Sequence, residues 1–178
     1  ATIESTCVAE AKSINGTGTG ANAYTLTIKD GGKLKHLNSG VRATVKKTIR
    51  GYGAGNAELK ADYYLITNPL TSNVTPDAEN NHLLSGNYDL YSFDYTQALE
   101  WRNNVTSLSY GAFSYLYANE SNTDLSFTGT INAYSSYKNR SLTASTSTSY
   151  DFPGWYLLGN PYMYDAYLTN TSTSTENT

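Results

Sequence analysis

Apolar side chains recur at every second position in short runs along this chain, and Gly, Pro, Asn or Asp closes each run. The clearest run is Val41-Arg42-Ala43-Thr44-Val45-Lys46-Lys47-Thr48-Ile49-Arg50. Val41, Ala43, Val45 and Ile49 fall on one face, and Arg42, Lys46 and Arg50 on the other. A period of two belongs to a strand with one face buried. Lys47 breaks the period, which predicts a bulge or an edge position there. Further strand-like runs fall at 2–11, 24–29, 33–37, 63–66, 87–94, 98–101, 110–117, 124–133, 141–150, 155–158 and 164–168. About a dozen short strands, with a turn signal roughly every 8 to 12 residues, predict an all-β fold of β-sandwich or jelly-roll type. No major helix is expected, because Ala, Glu, Lys and Leu give way to Thr, Ser, Asn, Gly and Tyr.

One run has a partner elsewhere in the chain. Tyr156-Leu157-Leu158-Gly159-Asn160-Pro161 aligns with Tyr64-Leu65-Ile66-Thr67-Asn68-Pro69, a pattern that fits two related halves of one β structure. In both copies an apolar strand is stopped by Asn-Pro, so Asn68, Pro69, Asn160 and Pro161 read as structural residues. Trp155, just ahead of the second copy, is expected to be a core anchor. The chain divides into a flexible N-terminal segment or exchanged strand (1–22), a β-sandwich domain (23–168) and a Ser/Thr-rich tail (169–178) expected to be disordered unless captured. The polar stretch 68–85 is expected to be a long exposed loop, the best-placed one for binding.

The formal net charge is −3 and charged residues make up 15%, so no basic field for nucleic acid or anionic lipid is present. No apolar run is long enough for a membrane helix, and no charged leader opens the chain; in an exported form Ala1 either follows a removed signal or marks the edge of an excised piece. Cys7 is the single cysteine, so no intramolecular disulfide is available. His36 and His82 lie in no motif that would activate a thiol. Phosphate loops, zinc-ligand spacings and nucleophile elbows are missing from the sequence. Asp62, Asp89, Asp94, Glu100, Asp151 and Asp165 show no spacing that singles out an acid–base pair. The expectation is therefore a protein without catalytic function and without a cofactor. Calcium at Asp30, Asp94 or Asp124 stays open as a low-order alternative.

Seventeen Tyr against four Phe point to ring positions that are half buried with the hydroxyl in water. Trp101, Tyr91, Tyr95 and Tyr117 are the candidate contacts for a ligand or for assembly, in competition with plain packing. Asn-x-Ser/Thr triplets occur at Asn15, Asn73, Asn104, Asn119, Asn139 and Asn170. With 18 Asn and 43 Ser or Thr in 178 residues, chance supplies about four such triplets, so their number carries no signal. Asn73 and Asn119 are the two expected in exposed loops.

Ile28-Lys29-Asp30-Gly31-Gly32-Lys33-Leu34, the alternating run at 41–49 and Tyr63-Tyr64-Leu65-Ile66 with Pro69 form an ordered set. It continues with Tyr88-Asp89-Leu90-Tyr91, Leu99-Glu100-Trp101, Tyr115-Leu116-Tyr117 and Gly154-Trp155 through Gly159-Asn160-Pro161. Over residues 23–168 this set resembles a C-terminal β module of secreted and surface proteins of Bacteroidetes. The resemblance implies a β rung at 28–34 and an extracellular or cell-surface setting, and it transfers no catalytic residue. The repetitive β region that often precedes such modules is not in this sequence, which leaves a short self-contained relative or a piece of a larger chain. The functional expectation is a structural or adhesive surface protein, self-associating through strand edges or contacting other surface proteins. A carbohydrate-binding module and an accessory C-terminal domain are the alternatives.

Overall fold

The computed structural model describes residues 1–9, 26–53, 63–134 and 142–166 in full, and the backbone of 10–11, 169–170 and 175–176. The loop expected at 12–22, Asp62, Asn15, Asn139 and most of the C-terminal tail lie outside the described residues. The chain is all-β, with no helix among the described residues. No helix, therefore, is long and apolar enough to cross a membrane.

The run at 2–11, expected as one strand, is two: β1 (Thr2–Ile3) and β2 (Val8–Ala11), separated by a bend in which Cys7 N–H donates to Glu4 C=O at 3.1 Å. The same arrangement follows in β3 (Thr27–Ile28) and β4 (Lys33–His36). β3 lies parallel to β1 with Thr27 against Thr2, and β4 lies parallel to β2 with Lys33 against Val8. Both offsets are 25 residues (27 − 2 and 33 − 8). The corner residues obey the same offset: Thr6 has φ 69° and Gly31 φ 77°. Glu4 and Lys29, also 25 apart, are joined by an ion pair of 2.8 Å. Two equivalent rungs are therefore stacked in parallel. Gly32 makes the stacking close, since a Cβ there would lie 2.9 Å from Glu4 O and 3.0 Å from Ile3 O. Asp30-Gly31-Gly32 is thus the corner of a rung that joins strands of two different sheets.

β5 (Arg42–Ile49) extends the stack, parallel to β3 with Thr44 against Thr27, and β10 (Thr123–Thr130) then closes that sheet antiparallel to β5. The alternation read from the sequence holds: Ala43, Val45 and Ile49 are buried and Thr44, Lys46 and Thr48 are not. Lys47 causes no bulge, and it lies beyond Thr44 and Val45, the β5 residues that pair with β3, so on that side it stands at an edge among the described residues. The β5–β10 register is unbroken from Arg42↔Thr130 to Ile49↔Thr123. Its ammonium reaches both Asp30 carboxylate oxygens, at 3.0 and 3.1 Å, and lies 5.6 Å from the centre of the Tyr64 ring. A charge on an inward-phased position is tolerated because it is paired.

The second four-stranded sheet runs β6 (Tyr64–Thr67), β9 (Ser114–Asn119), β7 (Tyr88–Phe93) and β8 (Trp101–Arg102) in that spatial order, all antiparallel. β11 (Thr169–Asn170) and β12 (Thr175–Glu176) pair antiparallel with each other in the tail. One hydrophobic core joins the rungs to both larger sheets, with Ile28, Ile49, Leu83, Leu108, Tyr117 and Leu125 fully enclosed. Each such side chain contributes about 1.5–3 kcal/mol by leaving water.

The two Asn-Pro turns are alike in detail. Asn68 Oδ1 accepts from Leu70 N–H at 2.9 Å and its Nδ2 donates to Ser72 O at 2.8 Å. Asn160 Oδ1 accepts from Tyr162 N–H at 2.9 Å and its Nδ2 donates to Tyr164 O at 2.8 Å. Between them, Asn132 directs its Nδ2 at Pro69 O, Leu70 O and Pro161 O, at 3.1–3.2 Å. The likeness is confined to the turns. Tyr64–Thr67 is a strand, whereas in the second copy only Leu158 makes a backbone pairing, with Phe113. Two further expected strands do not form among the described residues. In 142–150 the Ser145 and Ser147 hydroxyls accept from the N–H two residues on, an alternative to ladder bonding; 164–166 is likewise irregular. The segment 68–85 is less exposed than expected. Leu83 is fully buried, Pro76 is buried, and Asn81 C=O accepts from Ser126 N–H on β10 at 3.2 Å.

Candidate functional site: an exposed aromatic face

Trp155 overturns the expectation made for it. It is 64% exposed and belongs to no core. The turn before it explains why: Gly154 takes φ 76° and Trp155 N–H donates back to Phe152 O at 3.2 Å, which swings the indole away from the sheets. Trp155 instead meets the Phe152 ring edge to face, centroids 5.6 Å apart. Phe152 in turn meets Phe93 at 6.2 Å, and Phe93 meets Trp101 at 5.1 Å. Phe93 and Trp101 are cross-strand partners of β7 and β8, so the edge of the second sheet holds two of the four rings at fixed spacing. Trp101 is 42% exposed, Phe152 40%, and Leu99 in the adjoining turn 76%. A second row lies alongside in sequence, with Tyr95 edge to face against Tyr150 at 5.7 Å and against Tyr156 at 5.6 Å.

Polar bonds hold this face in shape. Asp94 opens the β7–β8 turn; its Oδ1 accepts from the Thr96 hydroxyl at 2.7 Å and the Thr96 N–H at 3.0 Å, and its N–H donates to Glu100 O at 2.9 Å. The Thr96 hydroxyl, helped by that N–H, by Gln97 and by Arg102, holds the Asp94 carboxyl below the usual carboxylate range against the upward push of burial. Gln97 Oε1 accepts from Arg102 at 3.3 Å. Tyr156 exchanges hydrogen bonds with Thr143, taking its N–H at 3.1 Å and donating to its C=O at 3.3 Å. The bond between Tyr95 and Tyr156, then burial, raises the Tyr95 hydroxyl above its ordinary value. Aromatic faces rimmed by fixed amide, guanidinium and carboxylate groups are suited to contact, through ring faces for C–H groups and rim groups for hydroxyls.

Of the four contact residues expected from the sequence, Trp101 and Tyr95 lie in this face. Tyr91 is elsewhere on β7, its hydroxyl 3.4 Å from Asp89 Oδ1. Asp89 also accepts from Tyr63 at 3.1 Å, and burial followed by the Asp89 charge and hydrogen bonds raises both tyrosine hydroxyls. Tyr117 is a correction: it is fully buried, its alternation phase turning it inward, and burial pushes its hydroxyl up. Asn119 is a second correction. It is enclosed, donating to Ser85 O at 2.8 Å and Tyr117 Oη at 3.1 Å and accepting from Ser121 N–H at 2.9 Å, so no glycan fits there. Asn73 is exposed and accepts from Tyr110 N–H at 3.1 Å. Asn68, Pro69 and Pro161 are buried, while Asn160 is exposed. Phe93, Phe152, Tyr150 and Tyr156 were not among the expected contacts, and Trp155 was assigned to the core. The signal that could have found the last is Phe-Pro-Gly-Trp, an aromatic pair spanning a turn instead of alternating along a strand.

Asp30, Asp94 and Asp124 do not converge, and among the described residues no three His, Cys, Asp or Glu side chains gather as a metal site would require. Asp30 is bound to Lys47, and Asp124 accepts from the Thr48 hydroxyl at 2.8 Å. A groove of about 480 Å³ between the sheets is lined by Val45, Leu65, Phe127, Tyr162 and Met163, among others. Two ion pairs lie along it, Lys47–Asp30 at 3.0 Å and Lys33–Asp165 at 2.7 Å. Comparison with protein-family models, with curated proteins and with solved structures finds no match.

Proposed function

We propose that the protein is a non-catalytic structural or adhesive β protein of the cell surface or extracellular space, and that the aromatic face is where it makes contact. The observation that carries this reading is the ring series Trp101–Phe93–Phe152–Trp155, held at an open sheet edge with both indoles substantially exposed. A contiguous apolar surface of this kind is kept for contact in water-soluble β structures, and Trp and Tyr are the residues that dominate contact energies. The resemblance to secreted Bacteroidetes modules supports the same setting. Carbohydrate is the favoured ligand class, because Asp94, Gln97 and Arg102 place hydrogen-bonding groups beside the rings.

The test is a Trp101→Ala, Trp155→Ala double variant. Both side chains lie largely outside the core, so its melting temperature is expected to stay near that of the parent. Retention on insoluble polysaccharides and quenching of tryptophan fluorescence by soluble ones should fall about tenfold or more. A folded double variant that adheres as well as the parent would refute the assignment.

A further inference from the structure

Among the described residues, the stack of rungs is covered at one end and carries no further strand at the other. On the closed side, β3 is covered by β5. β4 is covered by single backbone bonds, Leu34 N–H to Met163 O at 2.6 Å and Tyr134 N–H to His36 O at 2.9 Å. On the other side, β1 and β2 are the last strands of their sheets among the described residues. Ala1 O and Ile3 O accept from Thr27 and Lys29 at 2.8 and 2.9 Å, and Cys7 O accepts from Lys33 at 2.8 Å. In a parallel ladder the intervening residues, Thr2 first, direct their N–H and C=O to the opposite side. Val8 on this rung is 61% exposed. Edges of this kind are templates for an added strand.

We infer that the edge formed by β1 and β2 takes a further polypeptide rung, a basic β-arch laid parallel and in register. The register of the two existing rungs specifies it. Positions against Thr2 and Ile3 need β-branched residues, as Thr27-Ile28 and Thr44-Val45 supply on the other side. Glu4 binds Lys29, and Glu10 lies in register with Lys35, so a rung complementary to this acidic pair carries cations at both positions. A second copy meeting edge to edge would set the same acidic rung against itself. Its own basic rung is already covered on both sides, so the occupant is a basic arch and not a second copy of this edge. No residue of the aromatic face takes part, and the two surfaces are separable by experiment.

The probe is a synthetic peptide of residues 26–37, which carries the required Thr-Ile, corner glycines and lysines. Added to the full chain, it should slow amide hydrogen exchange in residues 1–11 about tenfold at saturation, without slowing β6–β9. A peptide with Lys29 and Lys35 both replaced by Glu should lose that protection. Glu4→Lys in the protein, at an exposed position, should weaken the parent peptide by several-fold. Unchanged exchange at 1–11, or equal protection by the charge-reversed peptide, overturns the inference. So does a concentration-dependent dimer that protects 1–11 while the peptide does nothing.

Discussion

At the scale of single residues, the same side-chain bonds have different worth according to burial. Asn68 and Asn160 each cap an Asn-Pro turn with matching 2.8 and 2.9 Å bonds, yet Asn68 is enclosed, with a third bond to Leu108 O at 3.0 Å, and Asn160 is exposed. Removing a buried partner leaves its mates without water, at about 1–3 kcal/mol for each unpaired group, whereas an exposed turn is resolvated. Asn68→Ala is expected to lower stability in urea by about 2–4 kcal/mol and Asn160→Ala by under about 1 kcal/mol. Equal losses would show that the turns are not distinguished by burial. The sequence announced both Asn-Pro stops but not which of them is enclosed, because that depends on partners such as Leu108, 40 residues along the chain from Asn68.

At the scale of the element, a rung at 28–34 was expected from the resemblance, but the equivalent rung at 2–11 stacked on it was not. Thr2-Ile3 and Thr27-Ile28 are identical and 25 apart, but two matching residues in ten are a faint signal, and a period-two reading joins 2–11 into one strand. What breaks that strand is Thr6, whose φ of 69° is unfavourable for a β-branched residue. Gly31 occupies the same corner one rung on, at no such cost. Thr6→Gly should therefore raise stability by about 0.5–1 kcal/mol, read as a higher thermal midpoint. A lower midpoint would mean that the Thr6 side chain stabilises the corner by more than its backbone conformation costs. Alternation located β5, β7, β9 and β10 to within a few residues, since each pairs along its length with a neighbour on one side and the core on the other. It failed at 142–150, where serine hydroxyls compete for the backbone, and at Trp155, where a left-handed glycine redirects the chain.

At the scale of the whole molecule, His36 sits where the second rung meets the segment that closes the stack. It is almost fully buried at the end of β4, with Nδ1 3.0 Å from Asn38 O and its own C=O bonded to Tyr134 N–H. Burial, against the partial support of backbone bonds to Asn38 and Asn132, lowers its pKa from the ordinary histidine value. The neutral form is thus the one the fold accepts. The unfolded chain binds the proton more readily, so stability is complete above about pH 6.5 and declines as pH falls from there towards the lower folded value. Asp77 and Asp94, whose carboxyls are held below their usual range, contribute a separate loss only in the acid region, as pH falls below about 3.8. Urea midpoints should be lower at pH 5 than at pH 7.5, and His36→Gln should flatten that difference. A parent protein with the same midpoint at both would refute the assignment.

The sequence by itself determined that the chain is all-β, where most of the longer strands run, which faces of β5 and β10 are buried, and that two Asn-Pro turns stop it. These follow from local rules: side-chain period, turn chemistry and the scarcity of helix formers act within a few residues. The tertiary structure alone decided that residues 2–11 and 27–36 stack as parallel rungs, with no further strand on one side among the described residues, that Tyr117 and Asn119 point inward, and that the rings of 93–101 and 150–156 meet on the surface. Each of these depends on partners tens of residues distant, whose pairing is set by register and shared burial and leaves no local mark.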